Sequence, residues 1–374
     1  MDTTAQNQLP NGFQPAYLHE LPAFLCGNAQ NEKAGTGCTV IVAPSGAVTG
    51  VDVRGGGPAT RETDLLKPEN LAESIHAVVL SGGSTFGLAA STGVMEELAK
   101  RKIGFELCGA YVPLVSGACL FDLPYGENTY PHPEMGAKAT QAAFDHKPFL
   151  EGNVGAGCGA TVGKMLDPQQ AMKSGLGVFG LKVASQTPGK DLICIAIVAV
   201  NALGTVCLPD GTPLAGHRDK NNTVTNPLDP VLLSMTPQDT SSHKPNQDTS
   251  QTDKQDKKPR SPENSLCTNT TIGVVLTNVT ITKAQAQKIS TITHDAYART
   301  IKPVHTSADG DTIFTMASGE VEAPFDLVGI LATEAMQGAI LRAVASTEAA
   351  CNLPAARDIN AELCTKIMRF SCTK

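Results

Sequence analysis

After Met235 the chain runs TPQDTSSHKPNQDTSQTDKQDKKPRSPENS without one Val, Ile, Leu, Met, Phe or Tyr. Such a stretch cannot repay its ordering entropy by burying apolar surface, so residues 236–265 are expected to form a mobile, solvated tether. The next segment is opposite in character. From Thr268 the sequence reads TNTTIGVVLTNV, β-branched and apolar, the composition of a core strand. The fold must therefore start a buried strand directly behind a long polar insertion. Composition alone also allows an ordinary long surface loop here.

The remainder can build a large core. Of 374 residues, 41% are hydrophobic, enough for one large domain or two ordinary ones. Aromatics make up 4% with no Trp, while Gly reaches 35, so the core must rest on Val, Ile, Leu and Ala. That suits buried strands covered by helices with small faces. Strands are expected over 37–53 (two, joined by a Pro-Ser-Gly turn), 77–80, 175–183, 192–200, 268–279 and 312–317, with 105–115 extended. Helices are expected over 84–100, 136–145, 282–301 and 325–346. Many strands follow one another directly, so a layered α/β protein fits better than a strict βαβ repeat.

Several function classes recede. A net charge of -7 without a basic stripe argues against nucleic acid as a partner. Apolar runs such as 192–200 have strand length, so no membrane association is expected. The eleven cysteines are odd in number, scattered and without a CxxC pair, which points to a reducing compartment. With no basic, apolar leader at the start, a cytoplasmic location is expected. The eight histidines form no short-spaced metal set, and neither HExxH nor GxSxG occurs; no metal or other cofactor is expected.

Three glycine-rich segments differ in what they can do. GAGCGATVGKM, 155–165, nearly spells a phosphate loop, but Cys158 replaces the first glycine and Met165 the hydroxyl that would reach magnesium. Its glycines are better read as permitting close packing or positive φ. RGGGPATRETD, 54–64, allows either pairing among Arg54, Arg61, Glu62 and Asp64 or contact with substrate. LSGGSTFGLAA, 80–90, puts Ser84 at a helix start, as a cap or as part of a site for a substrate's carboxylate.

With no local serine–histidine motif, a hydroxyl nucleophile needs another base. A terminal α-amine can serve, because its usual pKa of about 8 leaves a neutral fraction at cellular pH. The nucleophile must then be the first residue of a chain. Thr270 meets that condition if the Asn269–Thr270 bond breaks. In the bland reading Thr268, Thr270 and Thr271 are ordinary strand residues.

The ordered segments TGCTVIVAPSGAVTGVDVRGGGPATRETDLL, VVLSGGSTFGLAA, EGNVGAGCGATVGK, VAVNALG, NTTIGVVLTNVTITKAQAQKIS and DGDTIF resemble the L-aminopeptidase D-amidase/esterase (DmpA-like) family, which includes the β-peptidyl aminopeptidases. The resemblance spans about residues 24–345. It implies a four-layer α/β/β/α sandwich, similar to N-terminal-nucleophile hydrolases but connected differently. It also implies one domain cut into an α part, 1–269, and a β part, 270–374, assembled as homo-oligomers of processed units. The nucleophile matches Thr270 where well-studied relatives carry serine, with Thr271 as an alternative one residue on. Asn201, after the strand CIAIVAV, matches the family's oxyanion asparagine. Asp311 matches its glutamate, implied to orient the new amine or share its proton, while Asp309 stands where relatives have serine. Two carboxylates beside an α-amine favour its charged form, so one must be protonated or turned away. A tyrosine on the oxyanion side matches Tyr125, Tyr130 or Tyr111. The implied substrate is a short peptide, amino-acid amide or ester with a free amino terminus. The competing reading is an uncut, catalytically silent member that binds rather than hydrolyses.

Overall fold

The computed structural model describes residues 12–229, 232 and 269–369. The expected tether, 236–265, lies outside the described residues. The N-terminal part supplies β1 (Phe13–Pro15), β2 (Leu25–Asn31), β3 (Thr36–Val53), β4 (Ala59–Arg61), β5 (Ile75–Ser81) and α1 (Ala90–Lys100). After these come β6 (Phe105–Leu107), β7 (Ala110–Val112), β8 (Val115–Cys119), α2 (Pro133–Phe144), β9 (Thr161–Val162) and β10 (Met172–Lys173). β11 (Leu176–Val183), β12 (Leu192–Asn201), β13 (Thr205–Cys207) and β14 (Pro213–Ala215) complete it. The C-terminal part supplies β15 (Thr270–Val279), α3 (Lys283–Thr300), β16 (Ile301–Lys302), β17 (Thr312–Val321), α4 (Phe325–Ala345), α5 (Ala356–Ile359) and α6 (Ala361–Ile367).

β3 decides the architecture. Its first half, Thr36 to Val42, pairs with β2 and β5; its second half, Val48 to Val53, pairs with β17. The Pro44-Ser45-Gly46 segment, with Gly46 at φ +81°, bends the chain without reversing it. Two strands were expected here; one strand instead passes from one sheet into another, because the turn acts as a bulge that shifts the pairing with β5. The first sheet runs β1-β11-β12-β15-β17-β3 and the second β2-β3-β5-β8-β4. Only β15–β17 and β5–β8 are parallel pairs in this order.

Alternation along the strands then builds the layers. Ile195, Ile197, Ile272, Val274, Leu276 and Phe314 of the first sheet meet Ile41, Val78, Leu80 and Ala118 of the second. On the first sheet's opposite face, Cys194, Ala196, Val198 and Val275 pack against Ile289 and Ala296 of α3 and Leu331 and Ala335 of α4. The second sheet turns Val40, Val42, Ala77 and Val79 toward Val94 and Leu98 of α1 and Ala139 of α2. The result is helix, sheet, sheet, helix: the four-layer sandwich expected from the resemblance. α4 is long and apolar enough to cross a membrane, yet most of it is buried within this helical layer.

Candidate functional site

Four strand ends converge at one end of the first sheet. Asn201, the last residue of β12, stands opposite Thr270, the first of β15. Thr312, which opens β17, lies beside Ile272 on one side and Val53, the end of β3, on the other. The apolar runs inside these strands fix the register, so the polar residues at their ends are carried to one place.

Thr270 is buried, with only 4% of its surface exposed. Its hydroxyl makes a short contact with the carbonyl oxygen of Asn269 and accepts the Gly310 N–H at 3.1 Å. Two-residue periodicity sends the Thr270 side chain to the side of Ile272, between the sheets, and Thr271 to the helix side. The Thr271 hydroxyl is buried there with no hydrogen-bond partner among the described residues.

On the same intersheet side, Asn201 is held from several directions. Its Oδ1 accepts the Thr161 N–H at 3.0 Å and an N–H of the Lys164 amine at 2.7 Å, which fixes the orientation of the amide. Its Nδ2 donates to the Phe121 carbonyl at 2.9 Å. Lys164 also donates to the Asn201 carbonyl at 3.0 Å. Burial holds the Lys164 amine well below its ordinary pKa, against the pull of Asp309 and Asp122. Tyr125 joins this group through a 2.9 Å bond with the Thr161 hydroxyl, and burial raises its pKa.

The two aspartates face different ways. Asp311 Oδ1 accepts the Thr271 N–H at 2.7 Å, and its Oδ2 accepts the backbone N–H of His305 at 3.1 Å and the ring Nδ1 of His305 at 2.8 Å. Asp309 is turned into its own loop, where Oδ2 accepts both the Thr306 N–H at 2.7 Å and the Thr306 hydroxyl at 2.8 Å. Burial, reinforced by the charge of Asp311, raises the Asp309 pKa to about 6. The condition set by two carboxylates near one amine is thus met in geometry, because Asp309 is turned into its own loop.

Glycines let these loops touch. A Cβ on Gly310 would lie 2.8 Å from the Thr270 hydroxyl oxygen, and one on Gly55 2.2 Å from the Asp309 carbonyl oxygen. This is the work of RGGG. Its charges do not pair among themselves as proposed: Arg54 bonds Asp52 and Thr291, Arg61 bonds Thr92, and Asp64 pairs with Lys67.

Other expectations fare differently. Ser84 sits at φ +54° with its N–H on the Leu120 carbonyl, and its hydroxyl makes no cap bond. The neighbouring Gly83 N–H is already taken by Asp122 at 2.7 Å, so the chain's own carboxylate occupies the position imagined for a substrate's. Tyr130 stacks on Phe86 and lies tilted against His132, and Tyr111 lies in the β6–β7 pair; neither is tied by a described hydrogen bond to the Thr270 cluster. Sequence reasoning missed Lys164, Thr161, Gly310 and His305. The GK of the near-phosphate loop was weighed only for phosphate, although a lysine two residues past a short buried strand already had to find polar partners.

The comparisons with known proteins agree with this architecture. Residues 21–360 match the model of peptidase family S58. The chain is 36% identical over 371 residues to an uncharacterized aminopeptidase of Mycobacterium leprae, covering 92% of this chain and 91% of that one. In fold it is similar to a β-aminopeptidase of a Burkholderia species, with TM-score 0.64, 16% identity and 96% of each chain covered. It is likewise similar to the L-aminopeptidase D-Ala-esterase/amidase of Ochrobactrum anthropi, described as a prototype of the serine aminopeptidases and a variant of the Ntn-hydrolase fold. There the TM-score is 0.59 and the identity 15%, over 93% of this chain and 92% of that one.

Proposed function

This chain belongs to peptidase family S58 and is a hydrolase of the aminopeptidase/amidohydrolase kind, and we propose that it activates itself by cutting Asn269–Thr270 and then hydrolyses amides with Thr270. One observation carries the reading: the Thr270 hydroxyl lies against the carbonyl of the residue before it, held by the Gly310 N–H, opposite Asn201. In the precursor the Thr270 oxygen attacks the Asn269 carbonyl carbon, and the C–N bond breaks. An ester to the threonine oxygen remains, and the Thr270 nitrogen leaves as a free amine. Water then hydrolyses the ester, giving a carboxylate on Asn269 and restoring the hydroxyl. No α-amine exists before that step, so Lys164, a buried amine with a lowered pKa that bonds Asn201 opposite Thr270, is assigned to take the hydroxyl proton and return it to the departing Thr270 nitrogen.

In turnover the freed amine of Thr270 takes the hydroxyl proton as the oxygen attacks a substrate carbonyl. The Asn201 amide, its oxygen fixed by Lys164 and Thr161 and its nitrogen donating to the Phe121 carbonyl, is assigned to the developing oxyanion, and the Gly310 N–H steadies the attacking Thr270 oxygen. The leaving amine departs, and water releases the acyl group. Asp311 holds the main chain one residue past the nucleophile. Tyr125 lines the same side through Thr161. The placement of the Thr271 side chain toward the helix layer favours Thr270 as nucleophile. Substrates are short peptides, amino-acid amides or esters with a free amino terminus, in keeping with the aminopeptidase relative, and processed units assemble as homo-oligomers in the cytoplasm.

Thr270→Ala tests the assignment. It is expected to stay one full-length band on a denaturing gel and to release no p-nitroaniline from amino-acid p-nitroanilides, while wild type gives two bands and turnover. Normal cleavage in the variant would move the nucleophile elsewhere. A wild type that stays uncut and inactive would favour the silent reading.

A further inference from the structure

Behind the nucleophile's strand, His305 does something that the proposed chemistry does not use. Both of its donors, the backbone N–H at 3.1 Å and Nδ1 at 2.8 Å, converge on Oδ2 of Asp311. With that oxygen occupied, Oδ1 is the one left to accept the Thr271 N–H at 2.7 Å. We propose that His305 is a positioning residue, which clamps the Asp311 carboxylate so that its free oxygen sets the main chain at Thr270–Thr271. The proposal rests on the reading of Thr270 as the nucleophile.

Two independent features support it. His305 holds φ at +56°, in the left-handed region that non-glycine residues seldom occupy. That conformation brings its N–H and its ring onto the same oxygen, and strain of this kind persists where surrounding structure enforces it. The ring also forgoes a bond: Nε2 is buried with no hydrogen-bond partner among the described residues. An apolar ring would fill the space without that cost, so packing alone does not account for a histidine. The ring's one polar contact among the described residues is Asp311.

The titratable and charged groups around it come from three elements. His294 and Tyr297 of α3 pack on the ring, with centroids 4.8 and 6.0 Å away. Asp309 and Asp311 belong to the loop before β17, and Asp52 and Arg54 to the end of β3 and the residue after it. His294 is pushed down to about 4 by burial and donates no competing charge near neutrality.

The experiment uses the protein as its own substrate. Full-length wild type, His305→Ala, His305→Asn and Thr270→Ala are made by cell-free synthesis with a labelling pulse, and the β fragment is followed on denaturing gels across pH. Asparagine is the conservative variant, because its amide nitrogen stands near the place of Nδ1 and it tolerates positive φ. His305→Ala is expected to cut about tenfold or more slowly, and His305→Asn to recover to within about threefold of wild type. Processed His305→Ala should show lower kcat and unchanged KM on an alanine p-nitroanilide. Cleavage of His305→Ala at the wild-type rate overturns the proposal. So does an equal loss in His305→Asn, or a raised KM with kcat intact. Unfolding of Thr270→Ala/His305→Ala far below Thr270→Ala would assign His305 to the fold and also overturn it. Wild type that never yields a fragment starting at Thr270 removes the nucleophile and this inference together; wild-type cleavage with an indifferent His305 removes the inference alone.

Discussion

Asp309 keeps its proton to about pH 6 because it is buried beside Asp311, with Thr306 and Lys164 only partly offsetting that penalty. Raising a carboxyl from 3.8 to about 6 makes the folded protein hold the proton more tightly than the unfolded chain. The stability this provides is complete below about pH 4 and is lost as pH rises through about 6, amounting to the order of 2–3 kcal/mol. Both Thr306 donors meet a single oxygen, so Asp309→Asn can keep them with its amide oxygen. In the uncut Thr270→Ala background this variant should gain about 2 kcal/mol over Asp309 at pH 8 and nothing below pH 4, read from urea unfolding. A gap independent of pH would show that burial of the charge is not the cause. At this scale the sequence was partly legible. Thr270 stood out because it opens an apolar strand behind a long polar stretch, whereas Asn201, Asp309 and Asp311 were singled out only through the resemblance to the family. Lys164 and His305 did not stand out, because their partners, Asn201 and Asp311, come from other parts of the fold, and a single sequence shows neither the burial nor the φ angle involved.

The elements were easier to read than the way they meet. β12, β15 and α4 announced themselves through long apolar content, and each was placed within a residue or two. β3 was read as two strands because a Pro-Ser-Gly segment usually reverses the chain. Its single bent course is set by pairing with β17 and β5, which is tertiary information. Short strands such as β9, β10 and β13 carried no periodic signal. Lys283, the first residue of α3, is buried despite its charge and donates to the carbonyls of Leu65 and Asn70. Close approach of helix to sheet depends on glycines facing the helices. A Cβ at Gly177 would fall 2.0 Å from the Ala339 carbonyl oxygen and 2.5 Å from the Ala343 nitrogen of α4. Backbone atoms cannot swing aside as a side-chain tip can, so Gly177→Ala should cost about 1–3 kcal/mol and lower the Tm by several degrees. An unchanged melting curve in the Thr270→Ala background would mean that α4 is free to shift outward.

Among the described residues the N-terminal and C-terminal parts of the chain share one sheet. β15 of the C-terminal part lies between β12 and β17, and β17 in turn pairs with β3, so the proposed break divides the chain without dividing the sheet. The core between the sheets mixes Ile272 and Phe314 with Ile41 and Ile195. Separating the parts would expose that core, so the two fragments should stay together until denaturant is added. The most direct measurement is therefore intact-mass spectrometry on the native size-exclusion peak that carries amide-hydrolysing activity. The predicted result is two polypeptides in one peak, the larger ending at Asn269 and the smaller beginning at Thr270, together heavier than the full chain by one water. Full activity from a peak whose mass is that of the continuous chain, or a smaller fragment beginning at any other residue, would contradict the account.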